Sequence, residues 1–569
     1  MRYHALACDY DGTIAEHGRV DEQTVAALQR LKASGRRLIL VTGRDLEDLA
    51  AAAPDLTLFA RIVAENGAVL HDPRARDTRE LAPPPAEALV RDLTARGVTP
   101  LSVGRCIVST WEPNQTAVLE AIRNLGLELN VIFNKGAVMV LPSGINKATG
   151  LAAALADLAL SPHNAVGIGD AENDHAFLSA CECSVAVASA LPSLKERVDL
   201  VTRGDRGAGV IELIDRLLTD DLAELERALS RRLFTLGHAV DDRPLTIRPY
   251  GESVLIAGPS GVGKSTITRA LIEQISRCGY QFCVIDPEGD YQDLEGAVSL
   301  SGPDERTLVD EATQLLASVS QNVVLNLMDI RVEDRPPFFQ RVLPVIQQFY
   351  ARHGRPHWLI VDEAHHMLPA DWQPVGQFVP ASLGSILMIT VHPEHLAPKV
   401  REQIRTLAAL GGDVRTEAEA FAAGRSDLDV AAPPPPGKPG RWACVFRPGE
   451  PPCWIRVPEA QEERQRHRRK YAEGELGRDK SFYFRGPDDR LKLRAHNLAM
   501  FSQVAEGIDD ETWLYHLRRG DYSQWFRNSI KDEELAAIAE RIEQDESPSA
   551  AASRHRIREA IEERYTTSA

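Results

Sequence analysis

Two apolar stretches run directly into loops of the kind that hold phosphate, and each junction requires a buried strand beneath it. The first, Tyr3 to Cys8, ends in Asp9-Tyr10-Asp11-Gly12-Thr13, which sets two carboxylates one residue apart at the mouth of a strand. One is placed to attack and the other to shuttle a proton. The second, Val254-Leu255-Ile256-Ala257, ends in Gly258-Pro259-Ser260-Gly261-Val262-Gly263-Lys264-Ser265-Thr266. A chain of 569 residues exceeds what one hydrophobic core accommodates, and length alone favours three or four domains. Two α/β domains carrying two phosphate chemistries are expected.

Alternation of apolar strands with helical stretches extends from residue 1 to about 218 and resumes from about 245 to 457. Pro83-Pro84-Pro85 interrupts the first region, and an inserted α+β cap is expected over roughly 80–140. Residues 219–244 read as a linker containing an amphipathic helix from Asp221 to Leu236, with Leu222, Leu225, Leu229 and Leu233 on one side. Pro433-Pro434-Pro435-Pro436-Gly437 marks an exposed excursion, and residues 458–569 read as a small, mainly helical region. There the aromatic-rich stretch Trp513 to Phe526 has helical spacing and predicts a small core, while Arg464 to Lys470 alternates with glutamates like a solvated helix face.

The net charge of −17 argues against a general nucleic-acid binder. Eight scattered cysteines, with Cys181 and Cys183 lacking metal spacing, read as reduced thiols. Met1 leads almost at once into the first strand, without a signal peptide, and apolar runs such as Ser385 to Val391 fall far short of a membrane span. A cytoplasmic location without membrane contact is the expectation.

Four segments should converge on the first site, because ligands collect at the carboxyl ends of parallel strands. Asp9 and Asp11 come first. Val41-Thr42-Gly43-Arg44 offers a hydroxyl and backbone amides, Gly144-Ile145-Asn146-Lys147 a cation, and Gly169-Asp170-Ala171-Glu172-Asn173-Asp174 oxygen ligands suited to magnesium. With Ala64-Glu65-Asn66-Gly67-Ala68, this ordered set resembles the haloacid dehalogenase superfamily of phosphatases, in its Cof-like capped branch, over about residues 1–215. The resemblance implies a Rossmann-like core. Asp9 would attack phosphorus and form an aspartyl-phosphate, and Asp11 would protonate the leaving oxygen and then activate water. Thr42 and Lys147 would hold the transferring oxygens, with Gly43 and Asn173 at the phosphate. Asp9, Asp11, Asp170 and Asp174 would surround Mg2+. Arg105, Trp111 and Lys135 of the cap could contact substrate, but packed or solvated roles are the stronger reading. Sugar phosphates, phosphoglycolate and sugar-phosphoglycerate esters lead the substrate candidates.

At the second site Gly258, Gly261 and Gly263 shape a loop whose amides face phosphates. Lys264 reaches the terminal ones, Ser265 can ligate Mg2+, and Thr266 follows in the helix. His357-Trp358-Leu359-Ile360-Val361 ends in Asp362-Glu363-Ala364-His365, where Asp362 would hold Mg2+ through water and Glu363 would polarise the attacking water. The loop alone looks like that of guanylate kinase, but a kinase needs no such acidic pair. No segment like LSGGQ precedes Asp362, which disfavours a transporter ATPase. Val284-Ile285-Asp286-Pro287-Glu288-Gly289-Asp290-Tyr291 resembles HerA/FtsK-type ATPases, implying a RecA-like P-loop domain that binds ATP. The chain departs from that group where Thr390 and His392 stand in place of a polar glutamine or asparagine. Such motors take an arginine from a neighbouring subunit, which would make a homo-oligomer through this domain; Arg401, Arg405 and Arg441 are available.

The expected protein is a Mg2+-dependent phosphatase of a small phosphorylated metabolite fused to an ATP-binding and hydrolysing module. Two other readings are a nucleic-acid remodelling ATPase with an attached end phosphatase, and a nucleotide sensor without turnover.

Overall fold

The computed structural model describes residues 1–565 apart from 54, 135, 227–231, 372–383, 412–413, 423–426, 433–440, 458–475, 477–479, 488–490, 531 and 546–548. Lys135, Leu229, the proline run and the basic cluster therefore lie outside the described residues. The chain divides into two compact units. One is Met1–Arg232 with Ala317–Val319 and Phe349–Arg355; the other is Leu233–Leu316, Ser320–Gln348 and Pro356–Ala569.

In the first unit, Ala5–Asp9 lies inside an eight-stranded sheet, parallel to Arg37–Val41 on one side and Ala165–Gly169 on the other. Arg61–Ala64, Cys183–Ala186 and Leu200–Val201 extend the parallel set, and Val69–Asp72 with Asp77–Glu80 closes one edge antiparallel. All five residues of Ala5–Asp9 are buried, which is why the strand reads as a continuous apolar run and not as an alternation. Each side chain the size of Leu6 buried this way contributes about 1.5–3 kcal/mol. Flanking helices are capped locally: Asp21 accepts from Thr24 N at the start of Glu22–Ala33, and Asn146 closes a capping box on Lys147–Asp157.

The insertion has its own core. Helices Glu87–Ala95 and Gln115–Leu125 accompany an antiparallel sheet ordered Ser102–Val103, Val108–Trp111, Ala137–Pro142, Leu129–Asn134. Leu89, Leu93, Val118, Ala121, Val138 and Val140 pack within it.

In the second unit, seven strands run parallel in the order Thr406–Leu410, Ser253–Ala257, Ser385–Thr390, Trp358–Val361, Phe282–Asp286, Asn322–Asn326, Ala297–Ser301. Trp442–Phe446, Cys453–Arg456, Phe234–Ala239 and Pro244–Ile247 continue the same sheet antiparallel. The strand Ser385–Thr390 thus separates the phosphate-loop strand from the strand bearing Asp362. Adjacent strands lie about 4.8 Å apart, so the acidic pair is set back from the glycine-rich loop by about twice that distance.

The helix expected from Asp221 to Leu236 does not form as one element. The helix Arg206–Asp220 ends at Asp221 and Leu222, both left-handed at φ 56° and 62°, and among the described residues up to Leu236 only Ala223–Glu226 is helical thereafter. The Asp221 carboxylate accepts from Arg2 N and Arg36 Nη2, contacts that fix the reversal. Phe234 and Leu236 alternate with Thr235 as strand residues buried in the second core. The described residues of 219–244 accordingly include a helix end and strands of the second sheet.

Beyond residue 480, helices Leu498–Gly507, Asp510–Arg518, Asp521–Trp525, Glu533–Glu543 and Ala550–Tyr565 surround Phe482, Phe484, Phe501, Trp513, Tyr522 and Phe526. His516 bonds Asp521 at 2.7 Å and accepts from Arg485 N, which makes it a satisfied packing residue. No described helix is long and apolar enough to cross a membrane.

Candidate functional site

Because Asp9 ends the strand paired on both sides, the loops after the two neighbouring strands open beside it. Lys147, first residue of its helix and fully buried, donates to Asp9 Oδ1 at 2.5 Å and to Asp174 Oδ1 at 2.6 Å. Gly67 lets that helix start approach: a Cβ there would stand 1.9 Å from the Asn146 carbonyl oxygen. Asp174 Oδ2 accepts from the amides of Asp170 and Ala171, so one carboxylate ties the lysine to the turn after Gly169.

Asp9, Asp170 and Asp174 are buried, with carboxylate oxygens within 4.8 Å of one another. Burial raises the Asp9 carboxyl to about 7, helped by the charges of Asp174 and Asp170 and opposed by Lys147. Burial works against the Lys147 charge, but Asp174 and Asp9 outweigh it and hold the ammonium above its ordinary value. Three crowded carboxylates offset by one cation form an oxygen donor set that fits Mg2+.

Asp11 is not a member of this carboxylate group. Its two oxygens accept from Arg44 Nε and Nη2, both at 2.7 Å, and the side chain is 44% exposed. The guanidinium also contacts Asp48 and lies 5.3 Å from the Tyr10 ring. The Asp11 carboxylate is thereby engaged by Arg44, outside the group formed by Asp9, Asp170 and Asp174.

Thr42 is buried, its hydroxyl accepting from Arg44 N, and Gly43 packs on the Asn66 amide. Asn173 Nδ2 donates to Asn66 Oδ1, and Asn66 Nδ2 reaches Met139 Sδ of the inserted sheet. Glu65 accepts from the amides of Arg105, Cys106 and Ile107 at the entrance to the insertion. Arg44, Glu65, Asn66 and Met139 were absent from the sequence-derived roles. Three of them lie in quoted motifs, but their partners are far away in the chain.

At the second site the helix Lys264–Arg277 starts where the loop ends, with Ser265 and Thr266 in its first turn. Lys264 Nζ donates to the carbonyls of Gly258 and Pro259. Gly258 is obligatory, since a Cβ would meet Leu410 O at 2.2 Å. Arg441 lies against Gly263, whereas Arg401 Nη1 donates to the Ala420 carbonyl. Asp362 and Glu363 are buried. Burial, with the charges of Glu363, Asp290, Glu288 and Asp286, pushes the Asp362 carboxyl well above the usual range. The Asp286 carboxylate accepts from the amides of Glu288, Gly289, Asp290 and Tyr291 and so shapes its own loop. His365 is within 3.1 Å of Thr390 Oγ1 and 3.4 Å of Glu363 Oε2, and burial together with His366, His392 and His395 lowers its pKa to about 3.

Residues 6–105 and 105–214 match the sequence model of the haloacid dehalogenase-like hydrolases, and residues 230–389 match that of the AAA ATPase domain. Over 224 residues the chain is 31% identical to a phosphoglycolate phosphatase of Methanothermobacter thermautotrophicus, a match covering 38% of this chain and 98% of that protein. It is 26% identical over 231 residues to phosphoglycolate phosphatase 2 of Saccharolobus solfataricus, covering 38% and 94%. A solved haloacid dehalogenase-like hydrolase from Bacteroides thetaiotaomicron aligns with a TM-score of 0.33 at 18% identity, over 38% of this chain and 99% of that one.

Proposed function

Because the chain belongs, over residues 6–214, to the haloacid dehalogenase-like hydrolases, we propose that it cleaves a small phosphate monoester through the Asp9 carboxylate. The observation that carries this reading is the bridge from Lys147 to both Asp9 and Asp174 in a buried cluster of carboxylates. Asp9 attacks phosphorus as the ester oxygen leaves with a proton from Asp11. Asp11 then takes a proton from the water that hydrolyses the aspartyl-phosphate, regenerating both carboxyl groups. Lys147 aims Asp9 and offsets charge on the transferring oxygens, beside the Thr42 hydroxyl and the Gly43 amide. Asp9, Asp170 and Asp174 would hold Mg2+, which supplies charge neutralisation at phosphorus. Arg44 occupies both Asp11 oxygens in this structure, so Asp11 exchanges that pairing for a proton and the ester oxygen when it acts as the acid.

The inserted sheet acts as a cap that selects the ester, and Met139 is its contact with the Asn66–Asn173 pair. The similarity to phosphoglycolate phosphatases puts phosphoglycolate first among substrates, ahead of sugar phosphates. A panel of small phosphate esters beside 5′- and 3′-phosphorylated DNA ends tests this. Preference for a small ester supports the reading, and turnover of DNA ends alone would favour the nucleic-acid alternative. Asp9→Asn, and chelation of Mg2+, should each lower phosphate release by about a thousandfold or more while the fold persists.

The second unit carries an AAA ATPase domain. In our reading it binds MgATP at Lys264 and Ser265 and hydrolyses it with Glu363, in the manner of HerA/FtsK-type ATPases. The loop built on Asp286 and the set-back acidic pair support that assignment.

A further inference from the structure

Four of the chain's sixteen histidines gather at one end of the second sheet: His365 and His366 after the strand Trp358–Val361, and His392 and His395 after Ser385–Thr390. Their rings are close, with centroids 4.2 Å apart for His365–His366, 4.7 Å for His392–His395 and 6.1 Å for His365–His392. Neither the phosphatase nor the ATPase reading uses Glu394 or His395, and His392 enters the ATPase reading only as a departure from the polar glutamine or asparagine of related motors.

Local geometry explains their convergence. Pro393–His395 forms a single 3-10 turn with His392 as its cap. Three residues per turn put positions i and i+3, here His392 and His395, above one another. Glu394 folds back so that its Oε1 lies 3.1 Å from His392 Nδ1. One ligand atom from each of the three residues lies within 4.8 Å of the others. Ligands about 2.0 Å from a tetrahedral ion stand roughly 3.3 Å apart, a gap that small rotations of these exposed side chains close.

We propose that His392, Glu394 and His395 form a binding site for a divalent first-row transition metal, distinct from the Mg2+ sites of the two phosphate chemistries. Two imidazoles and one carboxylate suit Zn2+, Fe2+ or Ni2+ and are a poor match for Mg2+, which prefers an all-oxygen shell. Three protein ligands leave a further position for water. The His392 amide donates to Thr390 Oγ1, which also contacts His365, itself beside Glu363. The site is therefore joined to the acidic pair of the nucleotide site through one threonine and one histidine.

The test is equilibrium dialysis of chelator-stripped full-length protein against Zn2+ in millimolar Mg2+, which occupies the carboxylate sites. The wild type should bind one Zn2+ that the double variant His392→Ala/His395→Ala does not. Glu394→Gln should weaken that site by at least about tenfold. Co2+ in place of Zn2+ should give visible absorption that disappears in the double variant. Equal Zn2+ stoichiometry and affinity in the wild type and both variants would overturn the proposal. Circular dichroism and thermal melting establish that the variants are folded, and Glu394→Gln, which removes no bulk, keeps the comparison decisive should the double variant be unstable.

Discussion

Glu65 has a backbone φ of 50°, and a left-handed position costs a residue with a Cβ on the order of 1 kcal/mol. Its carboxylate repays that strain by accepting three amides from Arg105, Cys106 and Ile107 in a buried setting. Gln at this position keeps one acceptor and turns an NH2 toward an amide donor. Glu65→Gln should therefore lower unfolding stability by about 1–3 kcal/mol, measured by urea titration, and should raise KM for the ester because the inserted sheet is held less firmly. Glu363, at φ 42°, is a second strained glutamate, the residue that the proposed ATPase reading assigns to the attacking water. Its replacement by Gln preserves shape and removes the charge.

At the scale of elements, two contrasts are testable. In the phosphate loop and its helix, Lys264→Ala should weaken ATP binding, whereas Glu363→Gln should preserve binding and slow hydrolysis. Nucleotide titrations and ATP turnover measured on both variants separate the two effects, and equal turnover in all three proteins would remove the loop from the ATPase site. In the first unit, Glu182 joins segments far apart in the chain through Arg2, His163 and Arg232, at 2.7 to 2.8 Å. Burial opposes its charge, yet the His163 hydrogen bond, reinforced by Arg2 and Arg232, holds the carboxyl well below the usual range. A depressed carboxyl stabilises the fold above its unfolded value of about 4.5 and loses that contribution as pH falls. Glu182→Gln should then cost about 3 kcal/mol or more near pH 7, with the gap to wild type narrowing as pH falls below about 4. Urea midpoints across that range check both the sign and the window.

At the scale of the molecule, every residue assigned to the ester chemistry lies within Met1–Arg232. Those residues expressed alone should keep phosphatase kcat and KM. In the full chain, about a dozen residues separate the helix Arg206–Asp220 from the strand Phe234–Ala239, which motivates a link between the two proposed activities. A saturating non-hydrolysable ATP analogue should change phosphatase kcat or KM in the full chain and leave residues 1–232 unaffected. Any effect on binding must be reciprocal. Identical kinetics with and without nucleotide would make the fusion a matter of co-localisation only.

The sequence by itself determined the strands and the loops they feed, because both are local. Ala5–Asp9 and Ser253–Ala257 are unbroken apolar runs, and the Asp9–Asp11 and Gly258–Ser265 segments have few other chemical uses. Phe234 shows where local reading stops. Its segment carries helical leucine spacing, but burial of Phe234 and Leu236 against the second core outweighs that spacing and makes a strand. Tertiary structure alone decided that Arg44 engages the Asp11 carboxylate apart from the Asp9–Asp170–Asp174 group, that Glu65 grips the insertion, and that histidines from two different strand ends meet. Each depends on a contact between residues distant in the chain, which periodicity and spacing do not encode and which only the packed sheets bring within bonding range.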